Sequence, residues 1–179
     1  GECALDSFCF TSFAETVRLA GPPLEEPMAL YHLHVSTGSK AAGASGSIRH
    51  AYITRQGEYE RRADELVFQT SQNMPDWARD PEDFRVSADA HERANGRVYQ
   101  EIEFALPREL SPDQQIELAK GFAQDIASAH RLPYTLAIHD DGHNPHAHLI
   151  YSERGDDGVA RERAQHFKRA NKNNPEKGG

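Results

Sequence analysis

Four histidines lie close together in the segment IHDDGHNPHAHL, which spans residues 138–149. If the flanking apolar stretches form a hairpin with His139 opposite His146, then His139, His146 and His148 project from one face, because cross-strand partners and residues two apart share a face. Three imidazoles on one ion leave coordination positions open, as in catalytic metal sites. Such an ion acts as a Lewis acid or activates a water molecule. We therefore predict a metal site formed by these three histidines.

Three other histidines are weaker candidates as ligands. His143 lies in the turn DDGHNP, out of register with the strands, so we expect a loop residue there rather than a fourth ligand. His32 and His34 also form a His-x-His pair on a predicted strand, but no third ligand lies near them in the sequence. We interpret this pair as ordinary residues of a polar strand face.

The surrounding sequence predicts the elements that position these residues. Strands are predicted at 29–36, 97–107, 132–139 and 146–154. Helices are predicted at 80–96 and 111–130. A short helix is also predicted from residue 48, ending at Gly57, and a basic last helix at 161–172. The helix at 111–130 has the clearest signal, with Ser111 as its cap and Pro112 in its first turn. This order predicts an α+β fold, a two-layer sandwich in which helices pack on one face of a central antiparallel sheet that carries the three histidines.

The length and the cysteine content limit the number of domains and indicate the redox setting of the chain. Its 179 residues are enough for one domain with a proper core. We expect residues 28–179 to form this domain, trimmed at its C-terminus, and residues 1–27 to be an upstream or cloning-derived extension. Cys3 and Cys9 lie too near the N-terminus to cross-link the domain, which favours a reduced, cytoplasmic setting. No apolar run is long enough to cross a bilayer, so we expect no membrane insertion.

The charge is distributed unevenly. Residues 1–27 carry five acidic and one basic side chain, which is −4, and residues 28–179 carry the other −4 of the net charge of −8. Residues 161–179 are nevertheless basic, with six Lys and Arg against two Glu. A basic segment in a mildly acidic chain is compatible with a phosphate-backbone ligand, because the local field matters more than the sum.

The histidine segment belongs to a longer recognisable pattern. The motif HNPHAH, residues 143–148, resembles the His–hydrophobic–His signature of the HUH endonucleases, which nick DNA. The segments MALYHLHVSTGSK, AYITRQGEYER, ERANGRVYQEIEFALPREL, LPYTLAIH and FKRANKNNPEKGG are similar, in this order, to segments of MobA/MobL-type plasmid mobilisation relaxases of the MobQ class. The resemblance covers essentially all of residues 28–179.

This resemblance implies an activity, a cofactor and partners. The activity is site- and strand-specific nicking and rejoining of DNA at a plasmid transfer origin, through a covalent 5′-phosphotyrosyl intermediate. The three histidines would hold Mg²⁺ or Mn²⁺, although an all-imidazole site could capture Zn²⁺ or Ni²⁺ during preparation. The expected partners are single-stranded transfer-origin DNA with an adjacent hairpin, accessory mobilisation proteins and a type IV secretion coupling protein. Two alternatives stay open: a rolling-circle replication initiator with the same chemistry, and an origin-binding repressor that does not cut.

The resemblance places the nucleophile at Tyr52. A phenol is protonated at neutral pH, so it needs a base or a cationic neighbourhood to attack. Arg49 and Arg55 lie close to Tyr52 in the sequence, which favours such a neighbourhood. Tyr59 lies beyond Gly57 and is the weaker candidate.

The resemblance also makes Glu101 the candidate base for the Tyr52 proton. From the residues alone, Glu101 and Glu103 share one strand face and are equally well explained as solvated carboxylates or as hydrogen-bond acceptors for a metal-ligating histidine. For DNA binding, the predicted phosphate contacts are Arg49, Arg154, Lys168, Arg169 and Lys172. A solvated surface charge is an equally good interpretation of each of these cations.

Overall fold

The computed structural model describes residues 32–179. The predicted extension at 1–27 and the first residues of the predicted strand 29–36 therefore lie outside the described residues. In chain order, the elements are β1 (Leu33–Ser39), α1 (Gly46–Ile53), β2 (Leu66–Gln72), α2 (Pro81–His91), β3 (Arg97–Ala105), α3 (Pro112–Ile126), β4 (Tyr134–His139), β5 (His146–Tyr151) and α4 (Arg163–His166). Short 3-10 segments add Lys40–Ala42, Gly57–Glu65, Ser128–His130 and Pro175–Lys177.

The five strands form one antiparallel sheet in the order β1-β3-β5-β4-β2. The predicted hairpin is the central pair β4–β5, and His139 lies directly opposite His146, which confirms the predicted register. On the other side of β5, Glu103 of β3 lies opposite His148. The histidine trio therefore lies on the middle strands of the sheet, where the backbone is held on both sides.

Helix α3 covers the sheet face opposite the histidines. It begins as predicted at Ser111, whose side chain accepts from the Gln114 amide while the Gln114 side chain accepts from the Ser111 amide. The main hydrophobic core lies between α3 and the sheet. Its buried members are Ile102, Phe104, Leu106, Ala119, Ala123, Ala127, Tyr134, Leu136, Ile138, Ala147 and Leu149.

Helix α1 packs on the other face, which carries the histidines. Ile53 of α1 is buried against Ala137 and Ile150, which share that face with His148. The predicted α+β sandwich is confirmed, but the expectation that the helices pack on one face is wrong. The physical reason is that apolar residues on the histidine face also need cover, and α1 supplies it.

Helix α2 fixes the position of α1. The Asp89 carboxylate of α2 accepts from the backbone amides of Gly46 and Ser47 at 2.6 and 3.0 Å. These amides belong to the first turn of α1, where no intrahelical acceptor is available. The fully buried Arg85 of α2 donates to the Ile150 carbonyl of β5 at 3.1 Å. Residues of α2 thereby tie α1 to the centre of the sheet.

Two segments differ from the predictions. β2 has no counterpart among the predicted strands, because it is an edge strand in which polar residues alternate only loosely with Leu66 and Phe68. The predicted basic helix at 161–172 is reduced to the single turn of α4. The path of this segment is determined instead by ion pairs to Asp83 of α2 and by hydrogen bonds from Arg154, which follows β5, to backbone carbonyls of the segment. Among residues 32–179, no helix combines the length and the apolarity needed to span a bilayer.

Candidate active site

The rings of His139, His146 and His148 converge on the face of the β4–β5 hairpin that α1 covers. Their centroids are 4.8 Å apart for His139 and His148, 5.0 Å for His146 and His148, and 5.4 Å for His139 and His146. One nitrogen from each ring lies within 4.8 Å of the others. Imidazole nitrogens at such separations can share one divalent cation.

Hydrogen bonds orient two of these rings for ligation. His148 Nδ1–H donates to Glu101 at 3.0 Å, and His146 Nδ1–H donates to the Asn144 carbonyl at 2.8 Å. Both rings then carry their lone pair on Nε2. The Nε2 atom of His148 is buried and has no hydrogen-bond partner in the described part of the chain. A buried acceptor without a donor is costly, and a metal ion would satisfy it, so these two residues fit a metal site.

His139 is held differently. Its Nε2–H donates to the Ile53 carbonyl at 2.7 Å, and its Nδ1 accepts from Arg55 Nη2 at 3.1 Å. Burial lowers the pKa of the His139 imidazole to about 3, so the ring is neutral at physiological pH. Its Nδ1 lone pair is therefore the one available to a cation, and ligation through it would replace the hydrogen bond from Arg55.

Glu101 connects the histidine cluster to α1. It is 3% exposed, and it accepts from His148 and, at 2.8 Å, from Arg49 Nε. Burial alone would raise the pKa of Glu101, but the hydrogen bonds from His148 and Arg49 outweigh it and lower that pKa. A carboxylate that already accepts from two donors is well suited to orient His148. Its proposed role as base for Tyr52 stays a prediction. Glu103 lies farther off, with its carboxylate 3.6 Å from His148 Nδ1.

Tyr52 of α1 lies over the histidine cluster. Its ring centroid is 6.1 Å from that of His148 and 6.5 Å from that of His139. The guanidinium carbons of Arg49 and Arg55 lie 4.6 and 4.8 Å from the centre of the Tyr52 ring. Two cations this close to the Tyr52 ring can attract an anionic phosphate to it.

Tyr59 contacts Tyr52 without reaching the histidines. The two rings meet edge to face with centroids 5.3 Å apart. A hydrogen bond to Glu58 and burial raise the pKa of Tyr59, which keeps its phenol protonated. Within residues 32–179, Tyr52 is the tyrosine whose ring contacts the histidine cluster.

Arg55 was expected near Tyr52 from the sequence, but its contact with His139 was not predicted. Besides His139, its guanidinium contacts the Tyr52 carbonyl at 3.1 Å and Glu65 at 2.9 Å. Its backbone φ is +54°, a left-handed conformation that non-glycine residues seldom adopt and that clusters at functional sites. The one available signal was the basic character of the sequence around Tyr52.

The residues predicted to contact phosphates differ in their positions and in whether their side chains are free to bind. Arg49 borders Tyr52, whereas Arg154 lies beyond the far end of β5 and is clamped in place. Arg154 donates to Glu92 at 2.8 and 3.0 Å and to the carbonyls of Phe167, Lys168 and Gly179. These bonds occupy the donors that a phosphate would need. The other three predicted contacts, Lys168, Arg169 and Lys172, are exposed on the C-terminal segment.

Two relatives match most of this chain. "Mobilization protein A" of Escherichia coli is 52% identical over 153 residues, which is 85% of this chain and 22% of the relative. "43 kDa relaxation protein" of Salmonella typhimurium is 47% identical over 158 residues, which is 83% of this chain and 41% of the relative. The chain therefore spans less than half of the length of either protein.

A solved structure has the same fold. A chain in the structure "Molecular Basis of Vancomycin Resistance Transfer in Staphylococcus aureus" superposes with a TM-score of 0.61 at 30% identity, and the match covers 73% of each chain. The model of the MobA/MobL family matches residues 36–177. The resemblance seen in the sequence is confirmed, and this chain belongs to the MobA/MobL family.

Proposed function

We propose that residues 28–179 form the relaxase domain of a plasmid mobilisation protein, which cuts and rejoins one DNA strand at a transfer origin through Tyr52. The observation that carries this proposal is the position of Tyr52, whose ring lies close to the guanidinium groups of Arg49 and Arg55 and to the rings of His139 and His148. The family match and the names of the two relatives support the same activity. The nicking reaction would initiate conjugative mobilisation.

The proposed reaction is a reversible transesterification. Tyr52 Oη forms a bond to the phosphorus while the bond from phosphorus to the 3′-oxygen breaks. The phenol gives up its proton, and the departing 3′-oxygen takes one up as a free hydroxyl. The product is a 5′-phosphotyrosyl link, and attack by a 3′-hydroxyl on this link rejoins the strand and releases Tyr52. Arg49 and Arg55 would stabilise the negative charge on the phenolate and on the phosphate.

His139, His146 and His148 would hold a divalent cation beside this reaction. A cation bound there supplies Lewis-acid polarisation of a phosphate oxygen. Mg²⁺ or Mn²⁺ is the proposed physiological ion, and the nitrogen ligands suit Mn²⁺ better than Mg²⁺, which prefers oxygen. Glu101 would keep His148 in the tautomer that points Nε2 at the cation.

The proposed substrate is the single strand of a transfer origin next to its hairpin. Accessory mobilisation proteins and a type IV secretion coupling protein are the proposed protein partners, and the cytoplasm is the proposed setting. These proposals rest on the family match and on the names of the relatives.

The test is covalent capture of a transfer-origin oligonucleotide on a denaturing gel with Mn²⁺ present. Wild-type protein should form a slow-migrating adduct, and Tyr52→Phe should abolish it while binding to the same oligonucleotide is largely kept. Tyr151→Phe is the matched control, because Tyr151 lies on β5 away from the site and should leave the adduct unchanged.

Each other outcome identifies an alternative. Binding without an adduct at any divalent ion would support a non-cutting origin-binding protein. Adduct formation on a replication origin, but not on a transfer origin, would support a replication initiator. An adduct that survives Tyr52→Phe would show that another residue is the nucleophile.

A further inference from the structure

A small open cavity of about 260 Å³ lies beside Tyr52. It is lined by Gly43, Ser45, Ile48, Arg49, Tyr52, Tyr59 and Tyr99. Cavities that hold drug-sized ligands are about 300–1,000 Å³, so this one suits a smaller group. A single planar ring system fits that size. We call this cavity the tyrosine pocket.

The tyrosine pocket leaves aromatic and aliphatic side chains partly open to solvent. Ile48 is 59% exposed although it is a large aliphatic residue, and Tyr59 and Tyr99 are half-buried. Aromatic rings at the surface of a protein that handles single strands are platforms on which nucleobases stack. Arg49 adds a cation at the edge of the pocket, where the sugar–phosphate backbone would pass.

The fold makes room for the aromatic wall. Gly38 of β1 lies under the ring of Tyr99, and a Cβ atom at Gly38 would overlap that ring. Tyr99 therefore lies flat over the backbone of the neighbouring strand and turns its other side to the pocket. This close approach requires glycine at position 38.

The chemistry of the nick decides which base can enter. Phosphoryl transfer places the attacking and leaving oxygens roughly in line on opposite sides of phosphorus. The nucleoside that leaves through its 3′-oxygen therefore lies away from Tyr52. The nucleotide that stays bonded to the phosphate, on the 3′ side of the nick, is free to turn back towards the nucleophile. The tyrosine pocket shares the Tyr52 ring as one wall, so it is within reach of this nucleotide.

Resting on the proposed function, we infer that the tyrosine pocket binds the base of the nucleotide immediately 3′ of the nick and holds it by stacking on Tyr59 and Tyr99. The same contact would retain the cut strand during transfer, because this nucleotide carries the 5′-phosphotyrosyl link. Tyr59 and Tyr99 thereby become binding residues that select and retain the substrate.

The experiment is a double-mutant cycle that combines one change in the protein with one change in the DNA. Single-turnover adduct formation is measured for wild-type protein and Tyr59→Ala, on an oligonucleotide with a mapped nick and on versions that are abasic immediately 3′ or immediately 5′ of it. For wild-type protein, the 3′ abasic site should slow the reaction roughly 5- to 150-fold, as expected for one lost stacking contact. For Tyr59→Ala, the same abasic site should cause a smaller loss than it does for wild-type protein, because both changes remove the contact between Tyr59 and the base.

A second readout follows the base itself. The fluorescence of 2-aminopurine placed immediately 3′ of the nick should be quenched on binding to wild-type protein, and less quenched with Tyr59→Ala or Ile48→Ala. Tyr59→Phe keeps the ring and should restore the quenching. Leu118→Ala is the control, because Leu118 is an exposed aliphatic residue on α3, behind the sheet.

The outcomes separate this inference from the proposed function. If wild-type protein forms the adduct equally well with and without the 3′ base, or if the losses from the abasic site and Tyr59→Ala multiply, the tyrosine pocket does not bind this base. If no oligonucleotide gives an adduct at all, the proposed function fails and this inference fails with it.

Discussion

Glu101 joins the two halves of the candidate site at the scale of single residues. Its carboxylate accepts from Arg49 on α1 and from His148 on β5, so the helix that carries Tyr52 and the strand that carries His146 and His148 meet at one side chain. Because Glu101 is buried, losing either contact would leave a charge without its partner. The position of Tyr52 and the tautomer of His148 therefore depend on the same residue.

Substitutions of these residues should separate ligand, orienting and base roles. His148→Ala removes a ligand and should abolish measurable Mn²⁺ binding in calorimetry. Glu101→Gln removes the ion pair and weakens the orienting hydrogen bond, so we expect Mn²⁺ affinity to fall about 10–100-fold. Glu103→Gln is the control and should change affinity less, because its carboxylate is 3.6 Å from the His148 ring nitrogen. If Glu101→Gln slows nicking but leaves Mn²⁺ affinity unchanged, Glu101 acts as the base.

The histidine trio could be predicted from the sequence, whereas Arg55 could not be assigned its role. His139, His146 and His148 lie within ten residues, and the period of two along a strand determines which face they share. The contact between Arg55 and His139 joins residues 84 positions apart. No local pattern encodes such a contact, because it depends on where α1 packs on the sheet.

At the scale of elements, the packing of α1 decides the geometry of the site. Only a helix on the histidine face can bring Tyr52 to the histidine rings, so the expectation that all helices lie behind the sheet conflicted with the predicted role of Tyr52. The strong signal of α3, with its cap at Ser111, correctly predicted the layer behind the sheet. α1 is short, and its contacts to Asp89 and Ala137 are long-range. The residues of α1 alone therefore could not show on which face of the sheet this helix packs.

Two buried carboxylates hold the C-terminal segment, one within α2 and one at the C-cap that follows it. Glu92 accepts from Arg154, and Asp83 accepts from Arg163 at 2.8 and 2.9 Å and from Arg79 at 3.2 Å. These ion pairs and the burial of Phe167 against α2 replace the helix that the basic sequence predicted. The segment is ordered by partners on α2, not by its own helical propensity.

The Asp83 cluster should make stability depend on acid pH. Hydrogen bonds from Arg79, together with the charge of Arg163, lower the pKa of Asp83 from 3.8 to about 2. Because the folded-state pKa is depressed, this stabilisation is present above about pH 4 and is lost as the pH falls towards 2. Asp83→Asn should therefore lower the melting temperature at pH 5–7, and its difference from wild type should shrink between pH 4 and 2. Asp125→Asn, at an exposed position of α3, is the control in circular dichroism melts. A difference that stays constant down to pH 2 would contradict the assignment.

At the scale of the whole molecule, positive charge is distributed unevenly. The chain carries a net charge of −8, yet cations are concentrated around Tyr52 and along residues 161–179. If DNA is the ligand, as we propose, its affinity would have to come from local fields and stacking more than from the net charge. The sequence correctly located the basic segment. It did not show that Arg154 is used internally, because that depends on how the segment folds back onto α2.

The salt dependence of DNA binding can show whether the exposed cations contact phosphates. Each phosphate contact on a single strand contributes about −0.7 to the slope of log K against log salt concentration. Combined Lys168→Gln, Arg169→Gln and Lys172→Gln substitutions should therefore flatten the slope by up to about 2, measured by fluorescence anisotropy of a labelled transfer-origin oligonucleotide across a NaCl series. Lys120→Gln is the control, because Lys120 lies on α3 behind the sheet and already pairs with Glu117 at 2.7 Å. An unchanged slope in the combined variant would mean that the strand does not run along the C-terminal segment, and that the cations next to Tyr52 alone hold its backbone.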